Sequence, residues 1–282
     1  MKATLYLYLI WLSRLLKNLI TSDSIFLRIS PPRFDSYKKN RPTRAYVFDM
    51  HRKTFMKFIV NSYHDSITLD QVFSREEYQL KSLGVDLKIK KRYQQYLDNN
   101  VTPLIIDCGS NIGLSVKYFS IMYPEAAIIG VEPDNDNVAL AIQNNNSTNV
   151  SFIKGAILHK DGYCEFLEKP SCPNNQFQIK MTKSKNTSSI SAFSIPSIVK
   201  KMELQYGNCA LFIVKIDIEG SELELFSENT NWIDQSDLLY VELHDWMLPG
   251  EQSSKTFLSK ISSLNRDFLL SGENVVSIKN LN

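Results

Sequence analysis

Residues 104–106, Leu-Ile-Ile, are an apolar run without polar alternation. That is the pattern of a strand buried on both faces of a parallel sheet. An acid and a two-glycine turn follow at 107–113, then a helical pattern over 112–122 (apolar at Ile112, Val116 and Phe119) that Pro124 stops. The motif repeats: a strand at 128–132, an Asp134 cap, a helix over 135–143 closed by Asn144-Asn145-Asn146, and a third strand at 150–153. Downstream, the spacing predicts a helix over 195–206 ended by Gly207, a strand from Leu211 through Glu219 into a turn at Gly220, and a helix over 221–227. A strand at 238–245, a last amphipathic helix over 257–264 and a hairpin of 268–270 with 274–278 around Gly272 complete the chain. Strands alternating with helices from Val101 onward predict an α/β fold with a doubly wound, mostly parallel sheet over 101–282.

The pattern before Val101 is different. Leu5, Leu9, Leu12, Leu16 and Leu19 fall on one helical face, with Ser13, Arg14, Lys17 and Asn18 opposite. Only about eleven uncharged residues precede Arg14, too few to span a bilayer, and no small-residue cleavage site follows. Two placements suit this helix: on a membrane surface as a peripheral contact of residues 1–20, or packed on the domain. Residues 21–43, with three prolines among basic residues, predict a linker, so that 1–43 form one unit. Residues 44–100 predict an α+β extension with strands at 46–48, 58–60 and 67–73 and helices over 75–83 and 87–97. It would cover the mouth of the site or one edge of the main sheet.

Residues 160–192 form a polar insertion with Pro170, Pro173 and a Ser/Thr/Asn-rich run. Stretches 163–167 and 177–181 are set to pair as a hairpin inside it. Long loops at this side of an α/β sheet carry specificity.

Composition is that of an ordinary globular protein, and a net charge of +2 argues against a nucleic-acid binder. The charge is uneven: residues 1–60 hold twelve Lys/Arg against three Asp/Glu, which leaves −7 on the rest. Cys108, Cys164, Cys172 and Cys209 include no Cys-x-x-Cys pair and read as reduced, which suits a cytoplasmic chain with its N-terminus at most membrane-associated. A disulfide between Cys164 and Cys172 is the alternative to free thiols.

The chemistry concentrates at strand ends. Asp107 opens a turn in which Gly109 and Gly113 permit a tight bend and close approach to a ligand. Glu132 ends the next strand, placed to accept both hydroxyls of a ribose. A dinucleotide-cradling Gly-x-Gly-x-x-Gly would need glycine at 111, where Asn111 stands. The loop therefore suits a smaller zwitterionic ligand, and S-adenosylmethionine fits, its amino-acid end on the loop and its ribose on Glu132. Ala156 is small enough to pack against an adenine ring.

Lys215, Asp217 and Glu219 alternate toward the end of one strand, and Glu242 and His244 toward the end of the next. A buried lysine needs a partner, for which Asp217 is nearest. His244, beside carboxylates, is the expected general base, oriented by Glu242 or Asp217. Asp217, Glu242 and His244 could also hold one divalent ion, although no spacing assigns a metal.

Asp107-Cys108-Gly109-Ser110-Asn111-Ile112-Gly113, Lys215-Ile216-Asp217-Ile218-Glu219-Gly220-Ser221-Glu222 and Val241-Glu242-Leu243-His244 together resemble the FkbM-type S-adenosylmethionine-dependent methyltransferases. The resemblance covers residues 100–280, and more loosely 71–78. It implies a class I methyltransferase (Rossmann-like) sheet of seven strands with an antiparallel last hairpin. It also implies methyl transfer to a hydroxyl of a sugar, glycan or secondary metabolite. Asp107, Gly109, Asn111, Gly113 and Glu132 would then hold the cofactor, and Asp217 and Glu219 would face the acceptor. Two alternatives stay open: a nicotinamide-dependent oxidoreductase on a similar sheet, and a non-catalytic cofactor-binding module.

Overall fold

The computed structural model describes residues 25–29, 42–167, 178–182, 185–186, 188–247 and 249–280, together with 9, 11–13, 16 and 17. Three strands, β1 (Phe26–Arg28), β2 (Thr43–Asp49) and β3 (Thr54–Val60), form an antiparallel sheet in that order. Helices α1 (Tyr63–Phe73) and α2 (Asp86–Asp98) follow. The main unit then runs β4 (Thr102–Cys108), α3 (Leu114–Met122), β5 (Ala127–Glu132), α4 (Asn135–Asn144), β6 (Val150–Lys154) and β7 (Ala156–Ile157). Next come β8 (Gly162–Leu167), β9 (Gln178–Thr182), β10 (Ile190–Phe193), α5 (Ile195–Tyr206) and β11 (Cys209–Ile216). The chain closes with α6 (Glu222–Leu225), α7 (Trp232–Gln235), β12 (Leu238–Glu242), α8 (Lys255–Ile261), β13 (Arg266–Ser271) and β14 (Asn274–Lys279).

The seven-stranded sheet is ordered β13-β14-β12-β11-β4-β5-β6. β6, β5, β4, β11 and β12 are parallel, and β14 lies antiparallel to both β12 and β13. Chain direction across the sheet reverses between β4 and β11, where open α/β sheets bind ligands beyond the strand carboxyl ends. The alternation of β4 sets the layers: Ile105 packs with α1, α3 and the small sheet, while Leu104, Ile106 and Cys108 pack with α5, α7 and α8. One core thus joins Phe26, Phe58 and Phe73 of the N-terminal segment to Tyr118, Phe212 and Tyr240 of the main unit.

Four expectations need correction. Residues 67–73 are the end of a helix, not a strand: Ser62 and Asp65 make a reciprocal capping box at its start, and Leu69, Val72 and Phe73 face the core. Residues 75–83 form no helix beyond a short 3-10 turn at Lys81–Leu83, because Glu76 takes a left-handed conformation and its carboxylate accepts the backbone N–H groups of Ile25 and Phe26. That contact ties β1, inside the stretch expected to be linker, to the extension. The third correction adds a strand, β10, which bridges β7 and β8 in a sheet ordered β7-β10-β8-β9. The fourth concerns β11, which ends at Ile216, so that Glu219 reaches the site through a turn rather than by strand alternation.

The helix expected over 5–20 lies largely outside the described residues; Leu9 and Leu16 are exposed and Trp11 is buried. Among the described residues no helix is long and apolar enough to cross a membrane. Cys108, Cys164 and Cys209 are free thiols, and Cys172 lies outside the described residues.

Candidate active site

At the carboxyl edge of the sheet, Gly109 has φ +76, and its backbone runs so close to β11 that a Cβ there would stand 1.8 Å from the Asp217 carbonyl oxygen. The glycine is therefore required by the chain itself, with the loop wedged against the exit of β11. Asn111 is also left-handed (φ +47), and its N–H donates to Glu132 Oε2 at 2.9 Å. The N–H of Asp134 and the Asn137 amide donate to Oε1, at 3.1 and 3.2 Å. Glu132 is thus fixed between the glycine turn and the start of α4, and burial raises its pKa.

A cavity of about 1140 Å³ opens along this edge. Gly109, Asn111, Glu132 and Ala156 line it, with Ile157, Ile218 and, from the extension, Ile59 and Ser62. A smaller cavity of about 150 Å³ is lined by Thr68, Gln71, Glu77, Lys215, Glu242 and Glu273. Gly109, Asn111, Asp217 and Glu219 border both. The other two residues expected at the cofactor border neither. Asp107 is fully buried in contact with the Ser115 hydroxyl, and Gly113 seats α3 against α4, where a Cβ would meet Asn145 at 2.6 Å. Both act on the loop from beneath.

Lys215 has a partner the sequence did not reveal. Register sets it directly across from Asp107. Its Nζ lies 3.2 Å from Asp107, 3.2 Å from Asp217 and 2.9 Å from the Gly109 carbonyl. Burial opposes its charge, but Asp107 and Asp217 hold its pKa well above the ordinary lysine value. This ammonium locks the turn to the end of β11.

Asp217, Glu219, Glu242 and His244 do come together. His244 is 1 % exposed, and its Nε2 stands 3.7 Å from Asp217, 3.7 Å from Glu219 and 3.5 Å from Glu242. Its Nδ1 meets Glu222 at 2.8 Å. Glu222, wholly buried at the start of α6, is a site residue with no role assigned from sequence, although it lies within the 215–222 motif. Burial works against the imidazolium, but Glu222, Glu242 and Asp217 raise the His244 pKa to about 11. Its carboxylate neighbours thus favour the imidazolium form of the ring. Burial and the neighbouring Asp217 raise Glu219 to about 7, the range suited to a base.

The chemistry of the cavity wall discriminates between cofactors. The larger cavity presents seven carboxylates, those of Asp65, Glu132, Asp134, Asp136, Glu165, Asp217 and Glu219, and no lysine, arginine or histidine among the described residues. A pyrophosphate would meet repulsion there, whereas a cationic sulfonium would be attracted. S-adenosylmethionine fits these residues, with Glu132 available to its ribose and the 109–111 turn to its amino-acid end. The nicotinamide alternative loses its ground.

A doubly wound sheet with an antiparallel closing strand, a glycine turn and a cation-attracting cavity at the switch point define a class I methyltransferase. The chain belongs to the FkbM methyltransferase domain family, whose model matches residues 107–268. The hexuronic acid methyltransferase AglP of Haloferax volcanii is 26% identical over 167 residues, which span 57% of this chain and 66% of that relative. Among solved structures, the plantazolicin methyltransferase BpumL with SAH is 11% identical with a TM-score of 0.33, covering 73% of this chain and 95% of that one. Human N-acetylserotonin methyltransferase with SAM is 13% identical with a TM-score of 0.32, covering 70% and 53%. Family membership makes the chain a methyltransferase and implies S-adenosylmethionine as its donor.

Proposed function

We propose that the chain methylates a hydroxyl oxygen of a sugar, glycan or secondary metabolite, with S-adenosylmethionine as donor. When bound, that cofactor supplies an electrophilic methyl group on a cationic sulfur. What carries the reading is the junction of the two cavities, which Asp217 and Glu219 border together with Gly109 and Asn111 of the turn. The name of the Haloferax volcanii relative supports a sugar acceptor.

Catalysis then asks little covalent chemistry of the protein: it must align the acceptor oxygen and take its proton. Glu219 is the proton acceptor, its carboxylate poised near neutral pH by burial and by Asp217. His244 does not take the proton; its ring fixes the spacing of Asp217, Glu219 and Glu242, while Glu222 fixes the ring. Lys215 holds Asp217 and the Gly109 turn in mutual register. Gly155, Ala156 and Ile157 offer a small apolar wall to the adenine.

The test is methyl transfer from isotopically labelled S-adenosylmethionine to neutral hexoses, hexuronates and hydroxylated metabolites, for the wild type and Glu219→Gln. The expected result is label on an acceptor oxygen, and a loss of 10²–10⁴-fold in kcat in the variant with cofactor affinity retained, the usual contribution of a general base. Equal rates in wild type and variant, or label only on nitrogen or carbon, would refute the reading.

A further inference from the structure

The carboxylates around His244 outnumber the cations that could balance them. Among the described residues, Asp107, Asp217, Glu219, Glu222 and Glu242 lie in contact with two side chains able to carry positive charge, Lys215 and His244. Lys215 shows what a satisfied buried cation looks like in this site, with three oxygens at 2.9–3.2 Å. His244 Nε2 is different. Its three carboxylate neighbours stand at 3.5–3.7 Å, beyond the ~3.2 Å limit of an ordinary N–H···O bond.

Those separations have a simple geometric meaning. Two ligand atoms each about 2.1 Å from one ion, subtending roughly 110–125°, would be about 3.5–3.7 Å apart. The ligand atoms of Asp217, Glu242 and His244 all lie within 4.8 Å of one another. They sit at the carboxyl ends of the neighbouring parallel strands β11 and β12. His244 is also presented as a metal ligand is presented: one ring nitrogen is held by the fully buried Glu222 at 2.8 Å, which aims the other into the carboxylates.

We infer that Asp217, Glu242 and His244 bind one divalent cation, on which the acceptor hydroxyl is positioned for methyl transfer. The inference rests on the proposed reading of the site as a methyl-transfer centre. One imidazole with two carboxylates and no thiolate selects an ion of the Mn²⁺ class. Such an ion also answers a difficulty of the acidic cavity: a hexuronate, anionic itself, would meet carboxylates alone without it.

The experiment is titration of the chelator-treated full chain with Mn²⁺, followed by the electron paramagnetic resonance signal of the free ion, with calorimetric titration of S-adenosylhomocysteine run separately. The expected result is one Mn²⁺ per chain, with affinity lowered at least tenfold by Asp217→Asn and by Glu242→Gln. Glu222→Gln, which would not touch the ion, should lower affinity about 10–100-fold by freeing the ring, and the exposed Asp234→Asn should not change it. The inference is overturned if a folded wild-type chain that binds S-adenosylhomocysteine leaves the Mn²⁺ signal unchanged. It is equally overturned if Asp217→Asn and Glu242→Gln bind the ion as the wild type does. Mn²⁺ bound at this site by a chain that ignores S-adenosylhomocysteine would support the ion site and refute the methyl-transfer reading.

Discussion

Gly109→Ala should damage this enzyme far more than the loss of a glycine ordinarily does. A Cβ at 109 would lie 1.8 Å from the Asp217 carbonyl oxygen and 2.9 Å from its carbon. To recover an ordinary contact of 3.4 Å, the turn and the end of β11 must part by about 1.6 Å. Asp217 and the Lys215 contact to Gly109 move with that displacement, and a misplacement of about 1 Å costs on the order of 10²-fold in rate. The left-handed backbone adds about 1–2 kcal/mol, and overpacking about 1–3 kcal/mol more. Gly84→Ala is the internal control. Gly84 has a matching φ of +72 but nothing within 4 Å of its Cβ position, so it shares the backbone cost without the clash. At roughly 2 °C per kcal/mol for a chain of this size, Gly109→Ala should lower Tm by about 4–10 °C and Gly84→Ala by about 2–4 °C. Scanning calorimetry and single-turnover methyl transfer on both variants make the assay. Gly109→Ala with the Tm and rate of Gly84→Ala would refute the wedging of the turn against β11.

Three further predictions follow from the same cluster. Lys215→Met leaves Asp107 buried without its cation and should cost about 3–5 kcal/mol in urea unfolding; adding Asp107→Asn should recover part of that loss, and no recovery would mean the two side chains are uncoupled. Burial raises the Glu77 pKa from its ordinary value near 4.5 to about 7, with Glu273 and Glu242 adding to the rise. Its folded pKa therefore lies above its unfolded one, so its contribution to stability is fully present below pH 4.5 and lost as pH rises through about 7. Urea unfolding at pH 5 and pH 8 should show that slope diminished in Glu77→Gln, and an unchanged slope would contradict the burial argument. The acid limb of the pH–rate profile should vanish in Glu219→Gln; a limb near 6.5 that survives that change and disappears in His244→Gln would return the base role to the imidazole.

Much of the fold could be read from local signals. Helix α5 was bounded to the residue, because Ser194 caps it, Pro196 lies in its first turn and Gly207 ends it. The buried strands stood out as apolar runs. What misled was the N-terminal segment: Ile67, Thr68 and Val72 favour strands, yet the Ser62–Asp65 capping box and packing of Leu69 and Phe73 on the core impose a helix. Three-residue β1 and four-residue β10 exist only through their sheet partners, so the sequence carries little trace of them. At the site, residues at strand ends were identifiable. The Lys215–Asp107 pairing depends on strand order and register, which no local pattern encodes. Glu222 reaches His244 only because Glu219 and Gly220 both turn through left-handed conformations, a geometry that alternation along a strand cannot suggest.

The measurement that bears most directly on the account is calorimetric titration of the full chain with S-adenosylhomocysteine and, side by side, with NAD. The acidic cavity and the Glu132–Asn111 contact predict binding of the sulfur cofactor alone. Glu132→Ala should weaken it roughly 10–100-fold, the worth of a charge-assisted hydrogen bond or two. A folded chain that binds NAD and not S-adenosylhomocysteine, or whose affinity for the latter survives Glu132→Ala unchanged, would contradict it.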